Sequence, residues 1–385
     1  MAENLILNKE AIESYNKDVI NLYRIFNVNN IVSGADGEIK VNCLDSSSIL
    51  KVFQLIYLGT DGNSRKALDA TGLKDIVQTA PKSMLTRSGV FLRNGIKFHP
   101  NYQNYKSQNI LGHIPRTRAE AEKINKAVAK KFKNWYQPDE EFLPVNSLLD
   151  KSVRLYVKDQ SLFVGEWLQT FDEKLTRDDI FYTNGNQKVQ IPMMRCDKSE
   201  LILCKFNTSL NCLFVSLPYL NNYAMFIAIP TVPLSRYQLL DILFERFTAE
   251  HISDFYHKEP VYKRIRSKCM PKFEYNTEWQ LNNHVEIKDE YDWAPYLKTI
   301  FSPNLSLGNL SDSLISHEGI GLSISSVSNI INDESGTRVE TITELLEYDC
   351  APRTEPDFDL KINRDFFYCI VDPRRAISKI GVYWP

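Results

Sequence analysis

The sequence predicts an α+β fold, and three observations predict it. Apolar residues recur at helical spacing in the first third of the chain. Short β-branched and aromatic segments, bounded by Asn, Gly or Pro, fill the second half. No Pro/Gly linker, internal repeat or low-complexity tract separates the two. Helices early and strands late imply antiparallel or mixed sheets with helices packed on them. The chain has 385 residues, 43% of them apolar, enough for a sizeable core. At about 100–200 residues per domain that length would suggest two or three domains, but large mixed folds break this prior.

Taken in order, Ile12, Tyr15, Val19, Leu22 and Phe26 share a helical stripe over 11–26. Ser46, Ser47 and Ser48 offer a cap for a helix carrying Ile49, Val52, Phe53 and Ile56. Gly59 and Gly62 end it, and Asn63-Ser64 can cap another helix through Leu68. Over 117–135, Ala121, Ile124, Val128, Phe132 and Trp135 form one stripe with lysines opposite. Segments 153–164, 187–194, 211–217 and 223–229 read as strands, with a helical segment at 235–246. Residues 366–370 and 376–382 read as a strand pair across an Asp372-Pro373 turn.

A net charge of −2 gives no global pull toward nucleic acid or a membrane. No run approaches the ~20 apolar residues of a membrane span. The apolar stretch Leu5-Ile6-Leu7 is far short of the ~7–15-residue core of a signal peptide, so a cytoplasmic protein is expected as written. The seven cysteines are odd in number and include no CxxC pair, which fits reduced thiols better than a disulfide framework. No Gly-rich phosphate loop, metal cluster or GxSxG elbow is present, so neither an enzyme nor a cofactor nor a metal site is expected.

Several segments together resemble the serpin family. They are Asp45-Ser46-Ser47-Ser48-Ile49, Tyr57-Leu58-Gly59-Thr60-Asp61-Gly62-Asn63-Ser64, Phe163-Val164-Gly165-Glu166-Trp167, and Phe181-Tyr182 followed by Lys188-Val189-Gln190-Ile191-Pro192-Met193-Met194. Met270-Pro271-Lys272-Phe273, Glu334-Ser335-Gly336-Thr337, and Phe366-Phe367-Tyr368-Cys369-Ile370-Val371-Asp372 with Ile380-Gly381 complete the set, in register from about residue 10 to the end. The resemblance implies one domain over 1–385, with about three mixed or antiparallel sheets, eight or nine helices, and an exposed reactive-centre loop at about 334–358. It also implies a monomer whose partner is a protease of the serine or cysteine class. Secretion would be open too, as many members are exported.

The family's latch beneath its main sheet maps onto Asp45, Ser48, Asp159 and Ser326, with Trp167 under the top of the sheet. Here Asp45, Asp159 and Ser326 depart from the usual Ser, Asn and His. Two carboxylates in one latch would repel, raising a pKa or loosening it, unless something separates them or one is protonated. Lys158 and Gln160 beside Asp159 are candidates for compensation.

The resemblance also implies a mechanism. A protease attacks the loop, forms an acyl-enzyme, and is dragged away as the freed loop inserts into a sheet. The hinge residues would be Glu334, Gly336, Thr337, Val339 and Thr341. A strand alternates its side chains between faces. The inward set Thr337, Val339, Thr341, Thr343 and Leu345 is uncharged, and the outward set Arg338, Glu340, Ile342, Glu344 and Leu346 carries three charges. Small alanines, usual in inhibitory hinges, are replaced by Val339, Glu340, Thr341 and Ile342, and such bulk slows insertion.

The commonest family spacing from Glu334 places the cut between Cys350 and Ala351. A shorter spacing places it between Asp349 and Cys350. Leu346-Glu347-Tyr348-Asp349-Cys350-Ala351 resembles the loop of the cowpox virus cytokine response modifier, a member that traps caspases. Caspases and granzyme-B-like proteases read aspartate with basic pockets. Two basic groups could serve a glycosaminoglycan, as in some members: Lys263, Arg264, Arg266, Lys268 and Lys272, or Lys126, Lys130 and Lys133. Solvated charge is the simpler reading.

Overall fold

A computed structural model describes residues 2–33, 43–60, 62–81, 85–95, 97–106, 109–133, 141–143, 145, 155–163, 165–282, 323–337 and 358–385. Its α-helices are α1 Ala2–Ser33, α2 Ser46–Gly59, α3 Gly62–Ala70, α4 Leu73–Thr79, α5 Arg118–Lys131, α6 Arg236–Asp241 and α7 Ala249–His257. The strands of the first half are β1 Leu44–Asp45, β2 Leu85–Leu92, β3 Asn109–His113, β4 Leu155–Leu162, β5 Gly165–Glu166, β6 Arg177–Thr183, β7 Gln187–Cys196 and β8 Glu200–Asn207. Those of the second half are β9 Cys212–Pro218, β10 Ala224–Pro230, β11 Tyr262–Pro271, β12 Phe273–Asn282, β13 Ser323–Asn332, β14 Gly336–Thr337, β15 Phe358–Lys361, β16 Phe366–Val371 and β17 Ile377–Tyr383. The fold is the mixed α+β architecture the sequence predicts.

The helices form where the apolar stripes lie, but their ends differ from expectation. On α2 the cap is Asp45, whose carboxylate accepts from Ser48 N; Ser46, Ser47 and Ser48 form the first turn instead. A carboxylate there also suits the positive end of the helix dipole. Gly62 opens α3 at φ +52°, so Asn63 lies inside the helix and does not cap it. Thr117 caps α5 through Glu120 N, and Glu120 returns a bond to Arg116 N. That helix ends at Lys131, leaving Phe132 non-helical, and Trp135 lies outside the described residues. Ser235 and Gln238 make a capping box for α6, which then widens into a π-turn, Ile242–Arg246.

The large sheet runs β1-β17-β16-β10-β9-β8-β11-β7-β6, with β15 paired to β11. Strands β16 and β17 are buried on both faces, as the continuous apolar run FFYCIV of β16 demands; β17 buries Ser378 and Lys379 as well. Phe367, Cys369 and Val371 join the core formed with α1, α2 and α7, while Phe366, Tyr368 and Ile370 join a second core around Trp167 and Phe273.

A second set of strands carries the candidate site. β2 is flanked by β3 and β4, and β12 pairs with β13. β13 comes alongside β4, yet no ladder joins them among the described residues. Among the described residues, the pairing that ties the two halves here is β14 with β5, antiparallel. Because the chain reverses at 333–336, β13 and β4 run toward the same end. They lie side by side beneath the β14–β5 pair.

Candidate functional site

Where β13 ends, the chain turns sharply. Asp333 N donates to Gly336 O and Gly336 N to Asp333 O, at 3.0 and 3.2 Å. The Asp333 side chain tightens the turn by accepting from Ser335 N, Ser335 Oγ and Gly336 N. Gly336 then lies on β5 at φ +140°. A Cβ there would sit 2.2 Å from Gly165 O and 2.6 Å from Glu166 Cα, so this position requires glycine. Gly165 is pinned from its other side by the Tyr219 ring, 2.6 Å from where its own Cβ would be. Trp167 stacks on Tyr219 at 4.5 Å and donates its indole N–H to Asp333 O at 3.0 Å. Trp167 is thus a packing and anchoring group beneath the turn.

Glu334 is buried beside this turn. Its carboxylate accepts from Lys272 Nζ and Thr176 Oγ1, both at 2.7 Å. Burial alone would raise its pKa, but those two bonds hold it below the ordinary glutamate range. Phe171 N and Trp167 N donate to the Glu334 and Ser335 carbonyls, at 2.9 and 3.0 Å, so the backbone here is tied as well.

Lower down, two of the expected latch residues, Ser48 and Asp159, meet. Asp159 Oδ1 accepts from Ser88 Oγ at 2.5 Å and Thr86 Oγ1 at 3.0 Å, and Oδ2 accepts from Ser48 Oγ at 2.7 Å. Strands β2 and β4 supply this geometry, since Ser88 pairs directly with Asp159. Asp45 is answered differently. It caps α2, accepts from Ser47 Oγ at 2.6 Å, and pairs with Lys379 Nζ at 2.5 Å. The two expected carboxylates are therefore present, each with its own partners. Burial pushes Asp159 up to about 6; the three hydroxyl bonds oppose this, and Asp45 adds a little to it.

Compensation by Lys158 and Gln160 is not what the structure shows. Alternation turns both to the opposite face, where Lys158 lies over the Phe142 ring and Gln160 accepts from Arg87 Nε. Backbone pairing sets Ser326 of β13 opposite Trp279, and the Ser326 side chain lies outside the described residues. The same holds for Val339, Thr341, Asp349, Cys350 and Ala351, and for the Thr337 side chain.

The basic stretch on and just after β11 is not one patch. Lys268 is buried against Glu200 at 2.7 Å, Arg266 meets Asp359 at 3.5 Å, and Lys272 serves Glu334. Lys126, Lys130 and Lys133 are exposed on and just beyond α5. Cys43, Cys196, Cys204, Cys212, Cys269 and Cys369 are buried free thiols, and Cys350 lies outside the described residues.

Sequence reasoning missed Thr86, Ser88, Thr176 and Lys379 as partners. For Ser88 and Thr86 a signal existed: two hydroxyls at period two, facing one way in a strand. For Lys379 no local signal exists.

Comparison with known proteins fits this geometry. The family model described as Serpin (serine protease inhibitor) matches residues 38–383. Iripin-8 of Ixodes ricinus is 32% identical over 174 residues, covering 44% of this chain and 40% of that protein, so the alignment spans less than half of the relative. Among solved structures, human glycosylated kallistatin superposes with a TM-score of 0.69 at 19% identity, covering 97% of this chain and 98% of that one. A thyroxine-binding globulin complex with thyroxine superposes with a TM-score of 0.66 at 16% identity, again over 97% and 98%.

Proposed function

The chain belongs to the serpin family, and from that premise we propose that it inhibits an endopeptidase as a suicide substrate, trapping it through the loop that begins after Thr337. One observation carries the reading. The chain has already turned at 333–336 and paired Gly336 and Thr337 with β5, at the end of β13 where it lies beside β4. Each further residue added there would extend a strand in the same direction. The uncharged inward set Thr337, Val339, Thr341, Thr343 and Leu345 suits such a strand. A charge at those positions would oppose insertion by several kcal/mol.

The bond offered to the protease is Asp349–Cys350, with Cys350–Ala351 as the alternative. An aspartate bait fits a caspase or a granzyme-B-like protease, whose basic pocket binds a carboxylate bidentately. The protease performs the chemistry, and the serpin contributes bait and strand.

A second reading is a non-inhibitory serpin acting as a storage, carrier or chaperone-like protein. The bulk of Val339 and Ile342 favours it, because insertion must outrun deacylation. Incubation with caspases, granzyme B and trypsin-like proteases, then denaturing electrophoresis, separates the two. A stable complex of summed mass is expected, and Asp349→Ala should abolish the complex with an Asp-selective protease. Clean cleavage with no complex and full protease activity retained would overturn the trapping reading.

A further inference from the structure

The latch holds a carboxylate in a way the hinge does not. Glu334 and Asp45 each face a lysine, at 2.7 and 2.5 Å. Asp159 is held by Ser48, Thr86 and Ser88, three neutral hydroxyls from α2 and β2, and among the described residues no cation pairs with it. It sits on β4, the strand beside β13.

A lysine can only donate, so protonating its carboxylate partner destroys the pair. A hydroxyl can donate or accept. When Asp159 gains a proton, one hydroxyl can rotate to accept from it while the others still donate. The network thus survives protonation and loses the buried charge.

We propose that Asp159 makes separation of β4 from its neighbours dependent on pH, easier when the carboxylate is ionised and harder once it carries a proton.

The surrounding groups are consistent with this. The charged residues near Asp159 on and beside α2 are its cap Asp45 and Lys51. Asp45 is engaged by Lys379 of β17; Lys51 donates to Gln54 at 2.9 Å and acts on Asp159 through its charge, with no ion pair between them among the described residues. β2 presents Thr86 and Ser88 on this face. Arg87, next in sequence, and Lys158 on β4 both lie toward Phe142 on the other face. β13, SISSVSNIIN, carries no ionisable side chain. Among the described residues, Asp159 is therefore the group on this face whose charge changes in the mildly acidic range, since burial pushes it up to about 6. Opening would hydrate the carboxylate and return it to the ordinary range near ~4, so ionisation favours the open form.

This dependence is separate from protease inhibition and is tested without a protease. Amide hydrogen exchange of the intact chain would be measured from pH 5 to 7.5, corrected for intrinsic exchange rates. The opening equilibrium of 155–162 should rise about tenfold over that interval. Asp159→Asn should flatten the dependence. Ser88→Ala removes one donor to the charged form, so it should shift the midpoint to higher pH, and it serves as the test should the Asn variant fold poorly. A wild-type β4 whose opening ignores pH would overturn the proposal. So would an Asp159→Asn protein that keeps the dependence, or a Ser88→Ala midpoint that stays in place.

Discussion

The hinge and the latch solve one problem in opposite ways. Each places a carboxylate in or near the core, where an unpaired charge costs several kcal/mol. At the hinge, Glu334 meets Lys272 and Thr176, and its pKa falls. At the latch, the hydrogen bonds to the Asp159 carboxylate among the described residues come from hydroxyls, and burial raises its pKa. A cation fixes the charged state, and with it one geometry over the neutral range. Hydroxyls tolerate both states, so the same strand can be held tightly or loosely. A carboxylate's neighbours therefore decide whether it acts as a permanent fastener or an adjustable one.

The contrast would fail most visibly at Asp45, the cation-paired member of the latch. Lys379→Met should strand a buried carboxylate and cost about 3–5 kcal/mol in urea unfolding at pH 7. A loss under about 1 kcal/mol would mean that the hydroxyl and cap bonds suffice. At the hinge, Lys272→Met should cost about 1–3 kcal/mol, less because Lys272 is half-exposed. A sign follows from the pKa. Glu334 is depressed, so its contribution is present at neutral pH and lost as pH falls through its folded value. Lys272→Met should therefore shrink the stability lost on acidification.

Asp159 has the opposite sign. Its folded pKa is raised to about 6, so its contribution is fully present below about 4 and lost as pH rises through 6. Asp159→Asn should therefore stabilise the protein at pH 7.5 by about 1–2 kcal/mol and change little at pH 4. Destabilisation at both pH values would remove the contrast between the two regions. The smallest expected effect is Thr176→Val, about 0.5–1.5 kcal/mol, which measures the neutral donor inside the cation-paired site.

Much of the framework is legible in the sequence. The stripe of Ile49, Val52, Phe53 and Ile56 marks α2, and the apolar run 366–371 marks a strand buried on both faces, because both patterns are local. The cap of α2 lies one residue before the three serines that suggest it, since they compete with an aspartate that caps as well as they do. The latch is legible as a set of residues but not as a set of bonds. Lys379 lies 334 residues from Asp45, and Ser88 lies 71 from Asp159, so only the folded sheets bring them together. Strand alternation alone excludes Lys158 and Gln160 as compensation, because neighbours of Asp159 in a strand face away from it.

The turn at 333–336 changes where the difficulty of strand addition lies. Adding a strand to a sheet resembles growing a helix from its first turn: starting is costly and continuing is cheaper. Here the start is built into the resting chain, with Gly336 seated over Gly165 and its carbonyl returned to Asp333 N. In the proposed insertion, lengthening the strand would be propagation from a nucleus already in place, at a pace that the inward residues next in the sequence, Val339 and Thr341, would set.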